Sequence, residues 1–121
     1  MGIKVLAVDD SRTIRDMLAL VLGEAGYTVQ TAEDGQDALD RIDDFEPDAI
    51  ISDINMPRLD GFGFVQAVRR VERYRATPIL VLTTESAPEL KARARAAGAT
   101  GWIVKPFDAE KLVRALQAIA G

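Results

Sequence analysis

Five short runs rich in β-branched residues alternate with stretches of helical periodicity, and this alternation is the feature that most limits how the chain can fold. The runs are Ile3–Val8, Thr28–Ala32, Ala49–Ser52, Ile79–Leu82 and Trp102–Val104. After the first run, apolar residues recur at helical spacing from Ile14 to Ala25, and Gly26 ends the stretch. A strand followed by a helix, repeated five times, predicts a parallel sheet with helices on both faces.

The polarity of the second run sets the predicted strand order. Thr28–Ala32 alternates polar and apolar residues, whereas the other four runs are almost wholly apolar. Because continuous apolar strands lie inside a sheet and an alternating strand suits an edge, we place the second strand outside the first. The expected fold class is α/β, a flavodoxin-like doubly wound sheet of five parallel strands in order 2-1-3-4-5, with five helices.

The chain length fits one domain. Its 121 residues are enough for one hydrophobic core, so we expect a single domain over residues 1–121. The fifth helix is expected to end with the chain at Gly121, without an attached output domain. The fourth helix is expected at Pro88–Ala97, where Ser86 and Glu89 have the spacing of a capping box.

Composition excludes several classes of function. The chain has no cysteine and no histidine, so it offers no disulfide, no thiol nucleophile and no phosphohistidine of its own. Its net charge of −4 argues against nucleic acid as a partner, because nucleic-acid binders usually present a basic face. The sequence lacks an apolar run of membrane-spanning length and a signal-peptide pattern, so we expect a cytoplasmic protein without a membrane partner.

Charged and polar residues follow four of the predicted strands. Asp9 and Asp10 follow the first strand, Asp53 follows the third, Thr83 follows the fourth and Lys105 follows the fifth. Ligands of open parallel sheets bind at this edge, beyond the carboxyl ends of the strands. Taken singly, most have simpler explanations: an aspartate can cap the first helix, a threonine can end a strand, and a lysine can be a solvated charge. Asp53 is the exception, because Pro57 interrupts any helix that begins directly after it.

The charges of this cluster predict a metal ion. Three carboxylates and one lysine leave an excess of two negative charges, and carboxylates this close resist joint ionisation unless a proton or a cation joins them. Oxygen ligands without histidine or cysteine favour Mg²⁺ or Mn²⁺ over zinc or copper. Since Mg²⁺ often takes one or two carboxylates together with phosphate oxygens, the cluster points to phosphoryl chemistry.

Four sequence motifs at these strand ends resemble those of response-regulator receiver domains. They are VDDSRTIRDML, DINMPRLDGFGF, PILVLTTES and AGATGWIVKPF, and they look most like stand-alone chemotaxis receivers of the CheY type. The resemblance covers nearly the whole chain and implies that Asp53 accepts a phosphoryl group from the phosphohistidine of a separate kinase. It also implies that Asp10, Asp53 and the backbone carbonyl of Asn55 hold Mg²⁺, with Asp9 acting through a coordinated water.

The resemblance also implies how the signal is passed on. Lys105, which precedes an expected cis bond to Pro106, would pair with the phosphoryl oxygens, and Thr83 would move its hydroxyl onto the phosphoryl group. Trp102 occupies the place of a switch aromatic that is usually tyrosine or phenylalanine. The implied partners of this expected monomer are a chemotaxis-type histidine kinase and a downstream target such as the flagellar motor switch.

Two further expectations concern output and phosphoryl lifetime. The fourth helix has only a thin apolar stripe, so we expect it to form the partner surface together with the fifth strand and fifth helix. Asn55 and Glu85 are expected to flank the path of the hydrolysing water. Thr84 stands where the family often has a smaller residue beside the phosphoryl group.

Other functions fit part of the sequence. A phosphate sink or a developmental relay receiver would carry the same motifs. An aspartyl-phosphate hydrolase of the haloacid dehalogenase type also uses a strand-end aspartate, but Asn55 occupies the position of its general acid. A flavodoxin-type module shares the strand order, but Asp9 and Asp10 would repel the flavin phosphate. We therefore expect a signalling protein and not an enzyme, although it would hydrolyse its own acyl phosphate slowly.

Overall fold

Five strands and five α-helices alternate along residues 3–120, the part of the chain that this computed structural model describes. The strands are β1 (Lys4–Val8), β2 (Thr28–Ala32), β3 (Ala49–Ser52), β4 (Ile79–Thr83) and β5 (Gly101–Val104). The helices are α1 (Arg12–Glu24), α2 (Gly35–Phe45), α3 (Gly61–Arg70), α4 (Pro88–Ala97) and α5 (Ala109–Ala120). The predicted helix end at Gly121 lies outside the described residues.

All five strands are parallel and lie in the order β2-β1-β3-β4-β5. The predicted doubly wound, flavodoxin-like fold is therefore confirmed. β2 is an edge strand with partly exposed side chains, whereas every residue of β3 and β4 is buried. The polar residues within Thr28–Ala32 agree with this partial exposure, since a strand at the edge of the sheet is less completely buried than a central one.

The helices cover both faces of the sheet because alternate residues of each strand point to opposite sides. On one face, α1 and α5 contribute the buried residues Leu18, Leu22, Leu112 and Leu116. On the other face, α2 and α3 contribute the buried residues Ala38, Ile42, Phe64, Val65 and Val68. None of the helices within residues 3–120 is both long enough and apolar enough to cross a membrane.

α4 has the smallest apolar anchor among the helices described. Ala94 is its one buried residue, and it packs in a small cluster with Ile54, Phe62 and Val81. The predicted capping box at its start is wrong. Pro88 takes the first helical position, so the N-cap falls on Ala87, which has no side-chain acceptor, and Ser86 lies one residue too early.

The strand order brings the chemically active residues together. The register of β1 and β3 pairs Val8 with Ser52, so the residues that follow them, Asp9 and Asp53, are neighbours. Lys105 directly follows β5, and its backbone N–H donates over 2.7 Å to the carbonyl of Thr83, the last residue of β4. A parallel sheet therefore collects all these side chains at its carboxyl edge.

Candidate functional site

The ammonium group of Lys105 joins two buried aspartates. Its Nζ lies 2.6 Å from Asp9 Oδ2 and 3.0 Å from Asp53 Oδ2. None of the three side chains is more than 11% exposed. A buried carboxylate is costly unless a charge or hydrogen bonds compensate it. Lys105 thus explains how an aspartate can follow the wholly buried strand β3.

Backbone groups fix the orientation of both carboxylates. The N–H of Ser11 donates to Asp9 Oδ1 over 2.9 Å, and the N–H of Ile54 donates to Asp53 Oδ1 over 2.6 Å. In addition, the guanidinium group of Arg15 donates to the backbone carbonyl of Asp9 over 2.8 Å. Each carboxylate therefore has one oxygen on a backbone N–H and the other on Lys105.

Asp10 adds a third, exposed carboxylate to the site. One oxygen each from Asp9, Asp10 and Asp53 lie within 4.8 Å of one another. With Lys105, the cluster has three negative charges and one positive charge. The donors are all oxygens, and a surplus of two negative charges matches one divalent cation. The residues therefore fit a hard ion such as Mg²⁺.

Burial and pairing shift the pKa values of Asp9 and Lys105. Burial raises the pKa of the Asp9 carboxyl above its ordinary value, and the hydrogen bonds from Lys105 and Ser11 offset this only in part. Burial by itself would lower the pKa of Lys105, but its hydrogen bonds to Asp9 and Asp53 outweigh that effect and raise it. Lys105 is therefore held in its charged form.

Glu85 connects the residues for which a switching role was predicted. Its N–H donates to Thr83 Oγ1 over 3.3 Å, and its backbone carbonyl accepts from Trp102 Nε1 over 3.2 Å. Its side chain accepts a hydrogen bond of 3.1 Å from Asn55 Nδ2. Thr83 is fully buried and Trp102 half-buried. Thr83 and Trp102 thus share one intermediate residue in the β4–α4 loop.

The structure places the predicted site residues at one edge of the sheet. Asp9, Asp10, Asp53 and Lys105 form one cluster, while Thr83, Asn55 and Trp102 are linked through Glu85. The peptide bond between Lys105 and Pro106 is cis, as the resemblance implied. The roles of these residues in metal binding and phosphoryl transfer stay predictions.

Gly61 has a role in the site that sequence patterns do not reveal. Its N–H donates to the carbonyl of Ile54 over 2.8 Å, at the first residue of α3. A Cβ atom at this position would lie 2.7 Å from the Cα of Ile54 and would also collide with the Asp53 carbonyl. Its position at the start of the third helix was predictable, but the close approach to Asp53 depends on how the loop folds.

The chain belongs to the response regulator receiver domain family, which matches residues 5–117. It is similar to the chemotaxis protein CheY4 of Vibrio cholerae, with 53% identity and a TM-score of 0.95 over 98% of this chain and 99% of that one. It is 38% identical over 117 residues to protein PilG of Pseudomonas aeruginosa, covering 97% of this chain and 87% of PilG. These similarities confirm the resemblance to CheY-type receivers that the sequence motifs indicated.

Magnesium is present in one similar structure. The receiver domain of the sensor histidine kinase PA1611 of Pseudomonas aeruginosa contains a magnesium ion coordinated in its active-site cleft. The present chain is 30% identical to it, with a TM-score of 0.92 over 100% of this chain and 99% of that one. Other curated relatives are longer: the chain is 38% identical to response regulator MprA of Mycolicibacterium vanbaalenii and spans 51% of that protein's length.

We expect Gly61→Ala to destabilise the protein by about 1–3 kcal/mol, because the added methyl group forces the backbone at Asp53 and Ile54 to move. The matched control is Gly23→Ala in α1, where a Cβ would meet no atom within 4 Å apart from its chain neighbours and the nearby backbone of its own helix. There the change should leave stability the same or raise it by up to about 1 kcal/mol. Urea unfolding measures both, and equal effects of the two variants would refute the close-approach role of Gly61.

Proposed function

We propose that this receiver domain is the phosphoryl acceptor of a cytoplasmic two-component phosphorelay, and that Asp53 takes the phosphoryl group from a histidine kinase in a Mg²⁺-dependent reaction. The observation that carries the proposal is the contact between Lys105 and Asp53 beside the carboxylates of Asp9 and Asp10. Family membership and the histidine-free composition support a kinase as donor, because the phosphohistidine must come from another protein.

The proposed transfer is an in-line displacement. An oxygen of Asp53 attacks phosphorus and forms an O–P bond, while the N–P bond of the phosphohistidine breaks and the imidazole leaves with its electron pair and takes up a proton. Lys105, already 3.0 Å from Asp53 Oδ2, offsets negative charge on the phosphoryl oxygens. When bound by Asp10, Asp53, the backbone carbonyl of Asn55 and, through water, Asp9, Mg²⁺ would neutralise the remaining charge.

Thr83 and Glu85 provide a route by which phosphorylation changes the surface. A Thr83 hydroxyl that turns to the phosphoryl group gives up the hydrogen bond from the Glu85 N–H. The carbonyl of Glu85 also holds the indole of Trp102, so the change reaches β5 and the cluster under α4. Since α4 has little buried surface, a small change in this loop is enough to shift it.

The proposed output surface is formed by α4, β5 and α5. A cleft of about 180 Å³ lies between α4 and β5, with Lys91, Arg95 and Trp102 among its lining residues. The indole of Trp102 thus links the loop that carries Glu85 to this surface. Similarity to the chemotaxis protein CheY4 supports a chemotaxis target, such as the flagellar motor switch. A phosphate sink is the second candidate, and it requires phosphorylation without a target.

Phosphorylation is tested with a small-molecule phosphodonor, with and without Mg²⁺. Intact mass should rise by one phosphoryl group only when Mg²⁺ is present, and Asp53→Asn should abolish the gain. The matched control is Asp48→Asn at the opposite end of β3, which should be labelled like the wild type. The proposal fails if labelling persists in Asp53→Asn or needs no divalent cation.

The same samples distinguish a signalling protein from a hydrolase. A receiver hydrolyses only its own acyl phosphate, so we propose that the chain is not an enzyme that turns over phosphate esters. Repeated hydrolysis of a phosphate ester by the wild type, lost in Asp53→Asn, would instead favour the aspartyl-phosphate phosphatase.

Phosphorylation should raise amide hydrogen exchange in the β4–α4 loop and α4, because the Thr83–Glu85 bond is given up. Thr83→Ala should still accept the phosphoryl group but should not show this change on phosphorylation. Exchange in α2, which packs against β1, β2 and α3, serves as the internal control and should stay constant. Unchanged exchange in α4 of the phosphorylated wild type would contradict the proposed route.

A further inference from the structure

The loop between β3 and α3 contains an arginine in an unfavourable backbone conformation. Arg58 has a φ of 63°, and among residues 3–120 Glu46 is the one other non-glycine residue with a positive φ. Arginine does not prefer this left-handed region, so the conformation persists only where surrounding contacts fix it. The contacts of Arg58 therefore indicate what this loop requires.

Arg58 forms a two-point ion pair with the N-cap residue of α2. Its Nε lies 2.8 Å from Asp34 Oδ2, and its Nη2 lies 3.0 Å from Asp34 Oδ1. The Asp34 side chain is only 3% exposed, whereas that of Arg58 is 55% exposed. Asp34 Oδ1 also accepts the cap hydrogen bond from the N–H of Asp37 over 2.8 Å. The guanidinium group is thus bound at two points to a nearly buried carboxylate that also caps α2.

The same loop is attached to α2 and to its own base by backbone contacts. The N–H of Gly35 donates to the carbonyl of Leu59 over 3.3 Å. A Cβ at Gly35 would lie 2.7 Å from that carbonyl oxygen, so the close approach requires glycine. At the other end, the N–H of Gly61 donates to Ile54. Residues 54–60 are therefore held at both ends, and Arg58 supplies the one charged contact to α2.

We propose that Arg58 is a positioning residue for the metal-binding loop: its ion pair with Asp34 holds residues 54–60 in the conformation that presents Asn55 and Asp53 to Mg²⁺. This inference rests on the proposed function, which supplies Mg²⁺ as the bound ion. Arg58 pairs with Asp34 and not with Asp9, Asp10 or Asp53, so its role is to set loop geometry and not to neutralise the acidic cluster.

Two consequences of replacing Arg58, the loss of its charge and the loss of its hold on the loop, predict opposite changes in the affinity for Mg²⁺. Removing a positive charge makes the protein more negative, which by electrostatics alone tightens the binding of Mg²⁺. Loss of the ion pair releases the loop, which weakens binding because the ligands must be ordered as the ion binds. The sign of the change in affinity therefore separates the two effects.

The test variant is Arg58→Asn. Asparagine tolerates the left-handed conformation better than arginine, and it is too short to form the two-point pair with Asp34. We expect the dissociation constant for Mg²⁺, measured by calorimetry, to rise about tenfold. This is the lower end of the range of effects seen when a residue that orients a metal ligand is removed. Amide exchange of residues 54–60 in the metal-free protein should become faster.

The matched control is Arg41→Gln. Arg41 pairs with Asp37 in α2, so this variant removes one positive charge and one ion pair from the same region without touching the loop. Its affinity for Mg²⁺ should stay the same or increase slightly, and exchange of residues 54–60 should not change. The double variant Arg58→Asn with Asp34→Asn should exchange no faster in the loop than Arg58→Asn alone, because both substitutions remove the same contact.

Arg58→Asn with wild-type or tighter Mg²⁺ binding and unchanged loop exchange would overturn the positioning role, even if the wild type is phosphorylated as proposed. A wild type that neither binds Mg²⁺ nor accepts a phosphoryl group overturns the proposed function instead. In that case, exchange of residues 54–60 in the metal-free variants alone decides whether Arg58 holds the loop.

Discussion

The contact of one ammonium group with two buried carboxylates is the interaction on which the site depends. Lys105 contacts both Asp9 and Asp53, and without it each carboxylate would keep a backbone hydrogen bond but would have no positive charge beside it. The contact requires β1, β3 and β5 to end at the same edge, which the parallel order of the sheet provides. Asp10 then adds a third carboxylate, and the resulting excess of negative charge is the physical basis on which we proposed a Mg²⁺-dependent phosphoryl acceptor.

Two loops connect this site to the rest of the molecule, and they are attached in different ways. The β4–α4 loop is held by hydrogen bonds of Glu85 to Thr83, Trp102 and Asn55, and it leads to the weakly anchored helix α4. The β3–α3 loop is held by the ion pair of Arg58 with Asp34 and by close glycine contacts. The first attachment suits an element that moves with phosphorylation. The second suits a loop that keeps metal ligands in place.

Much of this arrangement follows from sequence pattern because it depends on regular structure. The alternating polarity of β2 predicted the edge strand, and strand-end positions predicted that Asp9, Asp53 and Lys105 would meet. Features of single loop residues were not predictable. The capping box failed because Pro88 moved the helix start by one residue. The left-handed conformation of Arg58 and the bridging hydrogen bonds of Glu85 carry no sequence signal, since they depend on tertiary contacts.

The central claim is that the acidic cluster is balanced jointly by Lys105 and a divalent cation. The most direct test is a calorimetric titration of Mg²⁺ into the wild type and into Lys105→Gln. We expect one Mg²⁺ per chain in the wild type and tighter binding in the variant, because the excess of negative charge rises when the ammonium is removed. A wild type that binds no Mg²⁺, or a variant with unchanged or weaker affinity, would contradict the claim.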